Sequence, residues 1–144
     1  MADLADNLKV LLADTFTMYL QAHGYHWNVE GQDFSQYHSL FSDIYEDVYG
    51  AVDPIAENIR KMGDYAPFTL SKFVETRTVD FKDVAANPKA MAKALLDVND
   101  GVLKSIDKAF KAAMKENEQG IANFLAERDD MHKKWRWQLR SSIK

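Results

Sequence analysis

Cysteine is absent from the 144 residues, so neither a disulfide nor thiolate chemistry can hold or run this chain. That absence is compatible with a reducing cytoplasm. Proline and glycine are scarce, at three and six residues, which favours long helices over many short strands. No apolar run approaches the roughly 20 residues that a membrane helix needs. The opening stretch Met1-Ala2-Asp3-Leu4-Ala5-Asp6 is acidic where a signal peptide would be basic. A cytoplasmic location with no membrane partner is therefore expected. A basic excess is missing too. The formal net charge is −4, whereas a general nucleic-acid binder draws most of its affinity from neutralising phosphates. The one basic cluster, Lys133, Lys134, Arg136, Arg140 and Lys144, is interleaved with Trp135 and Trp137. It reads as a solvated helix face over two core tryptophans, with phosphate binding as the other reading.

What is present is helical periodicity. The length suits one domain over residues 1–144, and apolar residues make up 47% of the chain, enough for one sizeable core. A first helix is expected from about Asp3 to His26. Leu4, Leu8, Leu11, Leu12, Met18, Tyr19 and Ala22 recur there at spacings of three and four. Asn28 to Gln32, with Gly31, breaks it, and Asp33 is the expected N-cap of a second helix. That helix carries Phe34, Tyr37, Phe41, Tyr45, Val48, Val52, Ile55, Ile59 and Met62 on one stripe. Pro54 inside it must remove the hydrogen bond to the Gly50 carbonyl, which predicts a kink rather than a break. Gly63 ends the helix.

Asp64 to Asn87 is a polar connection long enough to cross a bundle, with a short helix expected over Leu70 to Thr76. A third long helix starts near Pro88, a favoured first-turn residue. The chain turns at Asn117 to Gly120, and a fourth long helix carries Ile121, Phe124, Leu125, Met131, Trp135 and Leu139. Two helical pairs joined by a long crossover predict an all-α, ferritin-like four-helix bundle with a short helix in the crossover.

Three of the four histidines, His23, His26 and His38, fall in one short region. His26 ends the first helix and His38 lies early in the second, so the short turn lets both imidazoles approach one point. Asp53 and Glu57 are four residues apart further along the second helix, which stacks two carboxylates on one face. Two imidazoles and two carboxylates suit iron or zinc. Distance constrains how they can combine. His38 and Asp53 are 15 residues apart, roughly 22 Å along a helix rising about 1.5 Å per residue. Metal–ligand bonds are about 2 Å. Either the histidines and carboxylates are unrelated, or a second, antiparallel copy brings its Asp53 and Glu57 to the first copy's His26 and His38. A two-fold axis would then create two equivalent sites.

The stretch His26-Trp27-Asn28-Val29-Glu30-Gly31-Gln32-Asp33-Phe34, followed by Tyr37-His38 and Phe41, resembles the signature of Dps-like mini-ferritins. So does the run from Val52-Asp53-Pro54 through Glu57 to Met62-Gly63. The resemblance covers essentially the whole chain and is strongest from residue 23 to 67. It implies that His26, His38, Asp53 and Glu57 are the iron ligands of a ferroxidase. It also implies a hollow homododecamer of tetrahedral symmetry with its sites at two-fold interfaces. Ferrous iron would be oxidised there by hydrogen peroxide in preference to oxygen, protecting against oxidative damage, and stored inside as ferric mineral. Zinc would be a possible substitute at the same ligands. Trp27, beside the ligand His26, would be a sacrificial electron donor, or a core aromatic packed under that ligand.

The chain departs from the family's pattern at three places. Ser42, with Asp43 beside it, stands where many members have an acid near a second iron position. Asn123 stands where an aspartate usually lines the three-fold iron pore, which leaves Glu127, Asp129 and Asp130 to supply a negative field. No lysine-rich tail precedes the first helix, so DNA binding is expected to be weak or absent. His23 reads as a spare ligand or a simple polar contact, and His132 as a bland residue of the last helix. The Glu-x-x-His pairs of an intra-bundle di-iron site are absent. The rival readings are a nucleoid-binding Dps protein with a mainly structural role, and a helical shell without metal chemistry.

Overall fold

The computed structural model describes residues 3–84 and 86–144; Met1 and Ala2 of the acidic start, and Ala85 of the crossover, lie outside the described residues. Five helices follow one another: α1 (Leu4–Asn28), α2 (Phe34–Lys61), α3 (Leu70–Thr76), α4 (Pro88–Lys115) and α5 (Gln119–Ser142). There is no strand among the described residues. No helix there is long and apolar enough to cross a membrane. The expected all-α bundle of four long helices, with a short helix in the crossover, is therefore the observed one.

Local chemistry accounts for most of the ends. The Asp3 carboxylate accepts from the Asp6 amide and caps α1. Asn87 caps α4 at the Ala90 amide, with Pro88 in the first turn as expected. Thr69 caps α3, whose span matches the sequence reading, at the Lys72 amide. Asp33 occupies the N-cap position of α2 but makes no side-chain capping bond. Its backbone, at φ −101° and ψ 27°, is not in the extended region from which a cap side chain reaches the next turn. α2 continues unbroken through Pro54. The Gly50 carbonyl loses its donor there, and Gly50 is exposed, so water can serve it. α1 runs two residues beyond His26. The turn before α5 is tighter than expected. Asn117 takes the left-handed conformation, at φ 58°, and places Gly120 inside the helix.

α1 pairs with α2 and α4 with α5, while α1 also lies against α4 and α3. Leu4, Leu8, Leu11, Met18, Phe41, Ile44, Ile55, Ile59, Leu95, Ile106, Leu125 and Leu139 are fully buried between them. Each such side chain contributes about 1.5–3 kcal/mol relative to exposure. The crossover is fastened to the bundle by polar groups of α1. Buried Asp14 accepts from the Thr78 amide (2.6 Å), the Thr78 hydroxyl (2.6 Å), the Val79 amide (3.1 Å) and the Ser105 hydroxyl of α4. Gln21 Oε1 accepts from the Lys82 amide, and the Tyr25 hydroxyl donates to the Lys82 carbonyl. Val79 sits so close to α4 that a Cβ added at Gly101 would lie 2.5 Å from its Cγ1. That close approach explains a glycine inside a helix, where it costs about 1 kcal/mol relative to alanine.

Candidate metal centre

The α1–α2 turn brings His26 and His38 ring to ring, with centroids 3.7 Å apart and planes 17° from parallel. His26 Nδ1 lies 2.7 Å from the His38 carbonyl oxygen, and His38 Nδ1 lies 2.7 Å from the His26 carbonyl oxygen. A carbonyl only accepts, so each Nδ1 carries the proton and donates it. In the neutral ring the lone pair is then on Nε2, which is the arrangement of a metal-binding histidine oriented by a backbone carbonyl. The His26 carbonyl lies in the last turn of α1 and lacks a full set of intrahelical partners, so His38 also satisfies a helix end. Phe34 stacks on His38, with ring centroids 4.8 Å apart.

Asp53 and Glu57 are exposed on the same helix as His38. Glu57 also lines a cleft between the end of α2 and the start of α5, with Glu118 and Phe124. Among the described residues, no three His, Cys, Asp or Glu side chains of one chain come together as a group that could hold a metal ion. The single chain thus joins the two histidines and does not bring the two carboxylates to them. Two imidazole nitrogens and two carboxylates are a donor set that fits ferrous iron.

The aromatic surroundings differ from the sequence reading. Trp27 is 60% exposed in the single chain and packs its ring 4.2 Å from His23, so it is not a core aromatic beneath His26. His23 makes a polar contact: its Nδ1 lies 2.9 Å from the Tyr19 hydroxyl, and its ring stacks on Tyr45 at 3.8 Å. Burial, with the nearby His26, pulls the His23 imidazole below its ordinary range. Tyr45 in turn lies 5.3 Å from His26. Tyr19 and Tyr45 read as apolar stripe residues in the sequence. The signal for the cluster was the i, i+4 series 19, 23, 27 on one helix and 45, 49 on the next.

At the other candidate positions, the Ser42 hydroxyl is 3.5 Å from a Glu46 carboxylate oxygen, while Asp43 is exposed. Asn123, Glu127 and Asp130 are exposed on α5, and Asp129 pairs with Lys133 at 2.9 Å. Two charges of the basic cluster are engaged in this way, since Arg136 also meets Asp100 at 2.9 Å. Trp135 is buried as expected. Trp137 is 56% exposed, because it faces away from the bundle, and the expectation of two core tryptophans holds only for Trp135.

His132 is a buried structural residue. Its Nε2 lies 2.9 Å from an Arg128 guanidinium nitrogen, and its Nδ1 lies 2.8 Å from Asn99 Oδ1. Arginine only donates, so Nε2 accepts and Nδ1 donates. Burial and the Arg128 charge push the imidazole down to about 3. Arg128 also grips Asp47 of α2 through two bonds of 3.0 and 2.9 Å, and Trp135 Nε1 donates to the same carboxylate. This network ties α2, α4 and α5 together and takes no part in the histidine pair. Nothing in helical periodicity marked Asn99 or Arg128 as buried, or Asp47 as the partner of Arg128.

The profile of the ferritin family, described as a ferritin-like domain, matches residues 5–144. A DNA protection during starvation protein of Helicobacter pylori is 27% identical over 137 residues, covering 94% of this chain and 95% of that protein. A low temperature-induced protein of Nostoc is 28% identical over 134 residues, covering 92% of this chain and 75% of its own. Among solved structures, the Dps protein of Vibrio cholerae, described as one of the ferritin-like diiron-carboxylate proteins, superposes with a TM-score of 0.93 at 23% identity. That match covers 98% of this chain and 89% of the other.

Proposed function

This chain belongs to the ferritin family as a Dps-like mini-ferritin, and from that membership we propose that it is a ferroxidase that oxidises ferrous iron at sites shared between two copies and stores the ferric product. The observation that carries the reading is the reciprocal bonding of His26 and His38, which leaves both Nε2 lone pairs free for a metal. His26 and His38 of one copy bind the ion. Asp53 and Glu57 of an antiparallel second copy complete the site and neutralise its charge. The two-fold axis repeats the arrangement, giving two sites per pair.

Ferrous iron is the substrate. Two ferrous ions give one electron each to hydrogen peroxide, the preferred oxidant over oxygen, which takes up two protons and leaves as two waters. Consuming iron and peroxide together limits oxidative damage. Pairs of this kind assemble further into a hollow dodecamer that holds the mineral, in the cytoplasm. Zinc competes for the same ligands. The test is titration of the iron-free assembly with ferrous iron followed by peroxide, monitored by ferric absorbance. Rapid saturable oxidation at about one site per chain supports the reading, and oxidation no faster than in buffer overturns it.

A further inference from the structure

We propose that Tyr19 and His23 form a hydrogen-bonded redox pair that quenches one-electron oxidants escaping the iron site, with Tyr19 giving up the electron and His23 Nδ1 taking the proton. The proposal rests on the ferroxidase reading above. Its own observation is the 2.9 Å contact between the Tyr19 hydroxyl and His23 Nδ1.

Phenol oxidation is easiest when the proton leaves with the electron, because the oxidised phenol is a strong acid. That needs a neutral base already in contact. Burial raises the Tyr19 hydroxyl above its ordinary range, so it stays protonated. With the His23 proton on Nε2, Nδ1 is the acceptor and the Tyr19 hydroxyl donates to it, which is the tautomer the transfer requires. Tyr19 is half-buried, so the imidazole rather than bulk water is the acceptor at hand.

A ring path joins this pair to the ligands. His26 lies 5.3 Å from Tyr45, Tyr45 stacks on His23 at 3.8 Å with planes 7° apart, and Tyr19 lies 6.3 Å from Tyr45. Trp27, at 4.2 Å from His23, is the competing electron donor, and the identity of the radical distinguishes the two.

One ferrous ion reduces peroxide to hydroxide and a hydroxyl radical. The hydroxyl radical takes one electron from Tyr19 and one proton from solvent, and becomes water. The Tyr19 O–H bond breaks, its proton moves to His23 Nδ1, and a neutral phenoxyl remains. A later ferrous ion returns the electron, the proton returns from His23, and the ion leaves as ferric iron.

Freeze-quench EPR of the assembled protein, loaded with ferrous iron and mixed with peroxide, tests this. The expected signal is a tyrosyl radical that narrows when the protein is grown on ring-deuterated tyrosine. Tyr19→Phe should abolish it and raise hydroxyl-radical escape, read by spin trapping, several-fold. His23→Phe keeps a ring on Tyr45 but removes the base, and should cut the signal at least tenfold. A tyrosyl signal unchanged in either variant, or a wild type whose radical is on tryptophan alone, overturns the pairing. Ferric absorbance in the same samples separates the two readings. Wild-type protein that oxidises no iron sinks the ferroxidase reading, whereas normal oxidation with a Tyr19-independent radical sinks this one.

Discussion

The His26 and His38 imidazoles are clasped reciprocally, each donating Nδ1–H to the other's backbone carbonyl at 2.7 Å. The clasp closes the α1–α2 turn and sets the tautomer of both rings at once. It therefore couples the geometry of the turn to the availability of both Nε2 atoms. Losing either ring removes the donor to the other residue's carbonyl, while the surviving ring keeps its bond to the backbone carbonyl of the substituted residue.

His26→Ala or Asp53→Ala should each slow peroxide-driven iron oxidation by at least about tenfold, more than loss of an outer partner of a metal ligand does at the low end. Assembly should persist in both, as checked by sedimentation. Shells co-assembled from the two variants should regain activity, since a mixed pair has one doubly damaged site and one intact site. Mixed shells as slow as their parents would refute the shared geometry.

Iron entry should depend on α5. A three-fold axis turns one carboxylate per chain into a ring of three, and Asn123 leaves its ring neutral. Lys133 engages Asp129, and of the remaining Glu127 and Asp130 the latter is expected to carry the field, since about two helical turns from Asn123 keeps it on nearly the same face. Asp130→Asn should slow uptake most at low ionic strength, and Asn123→Asp should speed it. Uptake rates insensitive to both changes would place the entry path elsewhere.

Duplex DNA should not be retarded by micromolar protein at near-physiological salt. The net charge is −4, and two cations of the one basic cluster are held by Asp129 and Asp100. A gel shift that fades with added salt would support the DNA-binding reading instead.

Acid should destabilise the fold through His132. Its folded value of about 3 lies below the ordinary 6.5, so the unfolded chain binds this proton more readily. The stability it confers is full above 6.5 and is lost as the pH falls from there toward 3. Between pH 6.5 and 5, above the range where carboxylates titrate, the folding equilibrium should fall by up to about tenfold per unit. His132→Gln, which can still accept from Arg128, should flatten that slope. Denaturation midpoints with the same slope in both proteins would show that His132 is not the group responsible.

Gly101→Ala should destabilise by about 1–2 kcal/mol despite the better helix propensity of alanine, because the new methyl meets Val79 Cγ1. Val79 is stiff at χ1 and cannot swing aside cheaply. In a Val79→Ala background the same change should become neutral or stabilising. Urea midpoints for the four proteins of this cycle decide it, and an unchanged penalty in the Val79→Ala background would show that the clash is not the cause.

The amino-acid order alone determined what depends on local geometry. Apolar spacing of three and four, with Pro88 and Gly63 as boundaries, placed the four long helices, and the same reading found α3 at Leu70 to Thr76. It also separated His38 from Asp53 by 15 residues, a distance along one helix that no metal can bridge, and no such group forms within one chain among the described residues. Only the tertiary structure decided the rest. Asp14 meets Thr78, and Asp47 meets Arg128, across 64 and 81 residues, and which polar side chain turns inward depends on the rotation of each helix about its axis. That rotation is chosen by packing of the whole bundle. It is why Trp135 is buried while Trp137, two residues on, faces solvent, and why His132 is locked in the core. The protonated nitrogen of His26 and His38 was equally invisible in the sequence, because it is set by a carbonyl 12 residues away that only the closed turn brings within reach.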